Sequence, residues 1–428
     1  MVIKSLFSRL SSTLLITILL IAAMMTSVMA SATNTAQQIF DPQFKTLKVQ
    51  VAYDFMAPPV IRMGSDDMLI INFDEIGEDF SDLQWRLIHC NADWQPSRLV
   101  DSEFIDGFNS GDIDDYAFST ATYVHYINYR IEIPSPDMRI IHSGNYLLQV
   151  FRRDNPEDVI LQARFSVVEP MAHIAGGYTT RTDRGHYSDW QQLDFRVDAS
   201  AAGNLNPYAD LIVTIDQNGR SETLRTVPQP ARVEGKTLVF SHQPDLIFPA
   251  SNEYRRFESV SNSFPGMNVD SLRYMGTNYH VWLKPDEERL TRQYAYDRTQ
   301  HGRFIVREYN SSDSDIGADY ITVHFTLDMP EMPGREVYVD GEFSNGLYSD
   351  FNRMTYIRAR GRYEAQIPLK QGAYNYQYVT TTSSGIHSTE AIEGNKHETE
   401  NEYRVAVYLR PAGARADRLI GYASLGPI

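Results

Sequence analysis

Cysteine is almost absent. Cys90 is the only one in 428 residues. That forbids an intramolecular disulfide and leaves no C-x-x-C pair for zinc or redox chemistry. A lone thiol in an oxidising compartment persists when it is buried, so Cys90 is expected inside. Basic charge is scarce too: 39 Lys and Arg face 55 Asp and Glu, a formal net charge of −16 at pH 7. Such an acidic chain is a poor partner for nucleic acid and for anionic lipid headgroups. Beyond residue 30 nothing approaches a membrane-spanning run of apolar residues. Long helical periods are missing as well.

The one apolar run lies at the start. Lys4 and Arg9 precede LLITILLIAAMM over residues 14–25, and small residues lead up to Ala30. This reads as a secretory signal peptide, residues 1–30, cleaved near Ala30. An uncleaved anchor is the competing reading, and the shortness of the run argues against it. No cysteine follows the cut, so a lipid anchor is not expected. Removing Lys4 and Arg9 leaves 37 basic residues against 55 acidic, a net charge of about −18. The mature chain is expected to be exported and soluble.

What the sequence has in plenty is aromatic: 26 Tyr and 20 Phe, flat side chains that suit a pleated, half-buried surface. Strand patterns follow one another. Residues 46–55 place Leu47, Val49 and Val51 on one face. Residues 84–90 (QWRLIHC) read as covered on both sides. Residues 123–133 set Ile127, Tyr129, Ile131 and Ile133 against Asn128, Arg130 and Glu132. GNYLLQVF (144–151) and VILQARFSVV (159–168) flank an Asp-Asn-Pro turn as a hairpin. Glu169-Pro170 ends that unit. The expectation is all-β: three consecutive β-sandwiches, Ig-like or early-set-like, over residues 31–170, 171–309 and 310–428. GNYLLQV (144–150) is echoed by GAYNYQY (372–378). An internal repeat and a shared β-turn rule both account for that echo.

Residues 87–116 read LIHCNADWQPSRLVDSEFIDGFNSGDIDDY. His89 and Cys90 are neighbours on a strand, so their side chains diverge and no base–nucleophile dyad is expected. Asp112, Asp114 and Asp115 invite calcium, but no glycine sits inside the acidic run and no distal Glu completes it. What remains is a long loop, 92–118, rich in aromatics and acids. It either packs back on the sandwich or serves as a protein-contact surface, with Trp94, Phe104, Phe108, Asp112, Asp114, Asp115 and Tyr116 as the candidate contact residues. NEYRRF (252–257) reads as an internal ion pair of Glu253 with an arginine. No catalytic residue, metal site or cofactor site emerges.

Two resemblances carry the reading further. VYVDGEFSNGLYSDFNRMTY (337–356) resembles the early-set sandwich of carbohydrate-binding modules. Asn345-Gly346 stand where many members carry a platform tryptophan, leaving Tyr348, Phe351 and Tyr356 as the candidate sugar platform. LIHCNADWQPS, GNYLLQVF, NEYRRF and the terminal DRLIGYASLGPI (417–428) together resemble the plug protein of the type IX secretion system of Bacteroidota, over residues 38–428 and most specifically over 44–168. That resemblance implies a non-enzymatic periplasmic protein at the inner face of the outer membrane. It would occupy the mouth of the giant barrel translocon SprA (also called Sov) when no shuttle or substrate does. An envelope glycan-binding protein is the alternative function.

Overall fold

Period-two burial sets the first sandwich. Along Tyr126–Ile133, Ile127, Tyr129, Ile131 and Ile133 are all buried, as alternation on one strand face requires. This strand lies between Leu69–Ile76 and Tyr116–Phe118, with Phe44–Val51 at the far edge. The facing sheet runs Gln38–Ile39, Asn155–Val168, Gly144–Arg152, Leu83–Cys90, Gly111–Asp112, and Val60–Arg62 joins it in parallel. Phe73, Trp85, Tyr129, Leu148 and Phe165 fill the core between the two. The computed structural model describes residues 34–427; the signal peptide expected at 1–30 lies outside the described residues. The α-helices among the described residues are four-residue turns such as Asp101–Phe104, and no helix there is long and apolar enough to cross a membrane.

The expected hairpin is present: Gly144–Arg152 pairs antiparallel with Asn155–Val168. The strand Leu83–Cys90 differs in detail. Trp85, Leu87 and His89 are buried, while Arg86 and Ile88 are only half covered.

The division expected at 309/310 does not follow the sheets. Leu211–Gln217 pairs with Tyr403–Leu409, which pairs in turn with Arg418–Leu425. These strands close over His173–Thr179, Trp190–Asp198 and Thr237–Phe240 around Phe195, Phe240, Phe248 and Tyr403. The middle sandwich is therefore finished by the chain's last strands. The third sandwich is inserted within it and takes strands from before residue 310: Arg255–Ser259, Val269–Tyr274, Tyr279–Leu283 and Phe304–Val306 join the ladder of Tyr320–Asp328, Arg362–Lys370 and Gly372–Thr382. That ladder folds over on itself, since Phe325 meets both Phe257 and Tyr376 across the core.

The GNY/GAY echo has a physical cause. The Tyr146 hydroxyl donates to the His142 carbonyl and the Tyr374 hydroxyl to the Lys370 carbonyl, each four residues upstream. Both rings stack on a core phenylalanine, Phe165 and Phe257. Glycine is needed beside each. A Cβ on Gly144 would lie 2.3 Å from His89 Nε2, and one on Gly372 2.1 Å from the Ile305 carbonyl oxygen.

Charged and polar groups lock the seams between sandwiches. Between the first and third, Lys370 Nζ lies 2.7 Å from Asp74 with 1% and 0% side-chain exposure. Tyr320 and Asn128 also donate to Asp74, at 2.6 and 2.7 Å. The Lys370 ammonium sits 4.0 Å from the centre of the Tyr126 ring, and Tyr126 in turn donates to the Ala318 carbonyl at 2.7 Å. Lys48 pairs with Asp315 nearby. Between the first and middle sandwiches, Tyr408 donates to Asn145 at 3.0 Å and Ala92 N–H to Asp417 at 2.8 Å. Glu103–Arg415 and Glu169–Arg418 pair beside a small apolar cluster of Ala92, Val168, Ala406, Tyr408 and Leu419.

Candidate functional site

The aromatic loop 92–118 is not one surface. Its parts pack on different elements. Trp94, at φ +62°, carries the Arg164 guanidinium 4.3 Å above its ring. Phe104 is buried against His89 and Tyr146. Gly111–Asp112 pairs with Leu83–Cys90, and the Asp112 carboxylate accepts from Gln84 at 2.7 Å and Arg153 at 2.9 Å. Asp115 lies 3.6 Å from Arg130, and Asp114 is exposed. Tyr116 stacks on Phe80 with centroids 4.9 Å apart and meets Phe118 and Tyr129. Of the seven candidate contact residues, Phe108 is the aromatic that stands clear, at 74% exposure. Phe80 and Phe118, both exposed, join Tyr116 at one edge of the first sandwich. The sequence reading missed Phe80, because it lies outside the loop.

Chemistry is not assembled where the sequence hinted at it. His89 and Cys90 are both buried. Burial pushes the Cys90 thiol up to about 12 and the His89 imidazole down to about 4. His89 Nε2 engages the Ser143 carbonyl at 3.2 Å, and its Nδ1 has no partner. The two face different neighbours on Gly144–Arg152, Tyr146 and Asn145. Among the described residues no group of three or more His, Cys, Asp or Glu is placed to hold a metal.

Glu253 is not paired with an arginine as expected. Its carboxylate accepts from Tyr294 at 2.8 Å and from Glu400 N–H at 3.0 Å. Arg255 instead pairs with Asp286 at 2.7 Å and Glu393 at 3.0 Å, and Arg256 with Asp297 at 2.7 Å. Local spacing cannot show this, since the partners lie about 30 to 140 residues away along the chain. The three candidate platform rings are each held separately. Tyr348 packs on Tyr338 and His387 and bonds Glu222 at 3.3 Å; Tyr356 packs on Tyr363; Phe351 rims an apolar groove.

A cleft of about 430 Å³ lies where the three sandwiches meet. Its walls alternate in charge: Arg220, Arg303 and Arg404 stand with Asp216, Glu222, Asp340 and Glu342. Arg220 pairs with Glu222 at 2.7 Å, and Glu402 joins Arg303 at 2.9 Å and Arg404 at 3.2 Å. Burial raises the Glu402 carboxyl, but Arg404 and Arg303 outweigh it and hold it at about 2. Asp216 goes the other way, pushed up to about 6 by burial. Asp340 is likewise raised to about 6, by burial and by the neighbouring charge of Glu222. These opposed charges tie the third sandwich to the middle one through Arg303 and Glu402.

The family described as Type 9 secretion system plug protein 1st domain matches residues 44–169, the first sandwich. No curated protein matches the chain. Among solved structures, a hypothetical protein from Parabacteroides merdae is 37% identical with a TM-score of 0.89, covering 92% of this chain and 99% of that one. Dimeric latent PorU from Porphyromonas gingivalis, 11% identical over 90% of this chain and 34% of its own, superposes with a TM-score of 0.15, too low for a shared fold. The match on the first sandwich, continued by a relative of the same fold from end to end, places the chain in the type IX secretion system plug protein family.

Proposed function

We propose that this protein is a periplasmic stopper at the inner face of the outer membrane, occluding the mouth of the SprA (Sov) barrel when neither shuttle nor substrate is engaged. The family match over the first sandwich carries this reading. A barrel wide enough to pass folded proteins leaks when idle, because its lumen widens with strand number. A stopper needs breadth and stiffness, and no chemistry. Three sandwiches locked by buried pairs at their seams supply both.

Release needs an interface that is polar rather than dry, since transient contacts are less hydrophobic than obligate ones. An acidic body bearing a few exposed rings suits such an interface. Phe108 and the Phe80–Tyr116–Phe118 edge are the proposed anchors, with Asp112, Asp114 and Asp115 as the rim. Competition for overlapping surface on the barrel then suffices to displace the stopper by mass action. Deleting the gene should sensitise cells to large antibiotics normally excluded by the outer membrane, and the full chain supplied in trans should restore exclusion. Unchanged sensitivity in the deletion strain contradicts occlusion.

A further inference from the structure

The seam between the first and third sandwiches opens into an apolar groove of about 230 Å³. Buried Phe44, Leu47, Phe304 and Leu369 line it, and Phe40 and Phe351 stand at its rim with 41% and 39% exposure. Its polar side chains have hydrogen-bond partners within the fold, and with one exception its charged groups are paired there with an opposite charge. The Thr46 and Tyr320 hydroxyls bond each other at 2.5 Å. Ser344 donates to Asp340 at 3.0 Å, and Ser349 accepts from Phe351 N–H at 3.3 Å. Asn345 accepts from Gln37 at 3.0 Å, Lys370 is held by Asp74, and Tyr374 donates to the Lys370 carbonyl.

The exception is Lys45. Its ammonium donates to the Pro42 carbonyl at 3.1 Å, and among the described residues no carboxylate pairs with it. Burial lowers its pKa with no opposing charge to raise it. The local backbone creates this placement. The ladder between Phe44–Val51 and Leu69–Ile76 slips between Lys45 and Lys48, and Thr46 sits at φ +55°, a conformation rare for a β-branched residue. A bulge re-aims the side chains beside it. Here Leu47 and Lys48 are both buried while Lys45 lines the groove.

A lone ammonium on a phenylalanine-walled groove calls for an anion with an apolar body. A peptide would bring amides that need partners, and the groove's side chains are already engaged. A hydrocarbon tail brings no such demand. We propose that this groove binds a medium-chain fatty carboxylate, its tail between Phe40, Phe343 and Phe351 and its head on Lys45 Nζ. This goes beyond the occlusion reading and stands without it.

The test is calorimetric titration of the full chain with decanoate and, separately, with decanol, each below its aggregation threshold. Decanoate should bind saturably, and decanol about tenfold more weakly, because it lacks the charge-assisted bond. Lys45→Met should bring decanoate down to the level of decanol, and Phe351→Ala should weaken both. Lys45 and Phe351 lie at the groove's accessible wall and rim, so an unchanged melting transition is expected and reports that the variants are folded. Absence of saturable decanoate binding by the wild-type chain overturns the proposal. So does decanoate affinity equal to that of decanol, or within twofold of wild type in Lys45→Met.

Discussion

Lys370 and Asp74 meet with almost no exposure at the seam of the first and third sandwiches. Removing one partner strands the other in a low-dielectric site. Lys370→Met should therefore cost ~3–5 kcal/mol in urea denaturation. Adding Asp74→Leu should recover part of that loss, since the stranded charge and not the missing pair dominates the cost. Cys90 makes a second prediction at this scale. With its thiol pushed up to about 12 and fully buried, it should resist a thiol-specific reagent in the native chain at pH 8 and react at once in denaturant. Fast native labelling contradicts the buried placement.

Glu402 gives a pH prediction. Its carboxyl drops from an ordinary 4.5 to about 2 in the fold. A depressed carboxyl contributes stability that is complete above 4.5 and is lost as pH falls from 4.5 toward 2. The difference is worth about 3 kcal/mol by linkage. Asp216 and Asp340, raised to about 6, act oppositely, losing stability as pH climbs from 3.8 to 6. Comparison with Glu402→Gln isolates the Glu402 contribution: the variant should be less stable at pH 7 and should show a shallower loss between pH 4.5 and 2. Equal slopes contradict the Arg303–Glu402–Arg404 arrangement.

At the scale of elements, the chain's last strands complete the middle sandwich, because Leu211–Gln217 pairs with Tyr403–Leu409. A chain ending at residue 309 therefore lacks half of one ladder and most of another. It should lose the cooperative transition of the middle core, which near-ultraviolet dichroism of Tyr and Trp would report. If residues 34–309 melt as one folded unit with native-like spectra, the pairing is wrong. This topology also marks how far the sequence could be read. Alternation in 123–133 and the hairpin at 144–168 were legible because they depend on neighbours along the chain. The partner of Leu211–Gln217 was not, since nearly 190 residues intervene and local periodicity carries no register at that distance. Likewise Cys90 was legible as buried from its type and its strand. Phe104 and Tyr116 were not separable within one loop, because their fates depend on which sheet each segment reaches. Lys45 left no signal at all: only the bulge at Thr46 turns it to the groove.

At the level of the whole molecule, the proposed work is mechanical. Three cores are joined by buried charge pairs and by one strand exchange across the chain's length, giving a stiff acidic body. Its proposed work is to fill an opening by shape. In this proposal rings such as Phe108 would provide anchorage, and the negative surface would keep contacts reversible and dependent on salt. The most direct measurement is affinity purification of the tagged full chain from detergent-solubilised envelopes, followed by identification of what comes with it. The account predicts recovery of one very large outer-membrane barrel protein, reduced when Phe108 and Phe118 are both changed to Ala while the melting temperature holds. Recovery of the chain alone, with every outer-membrane barrel left behind, contradicts it.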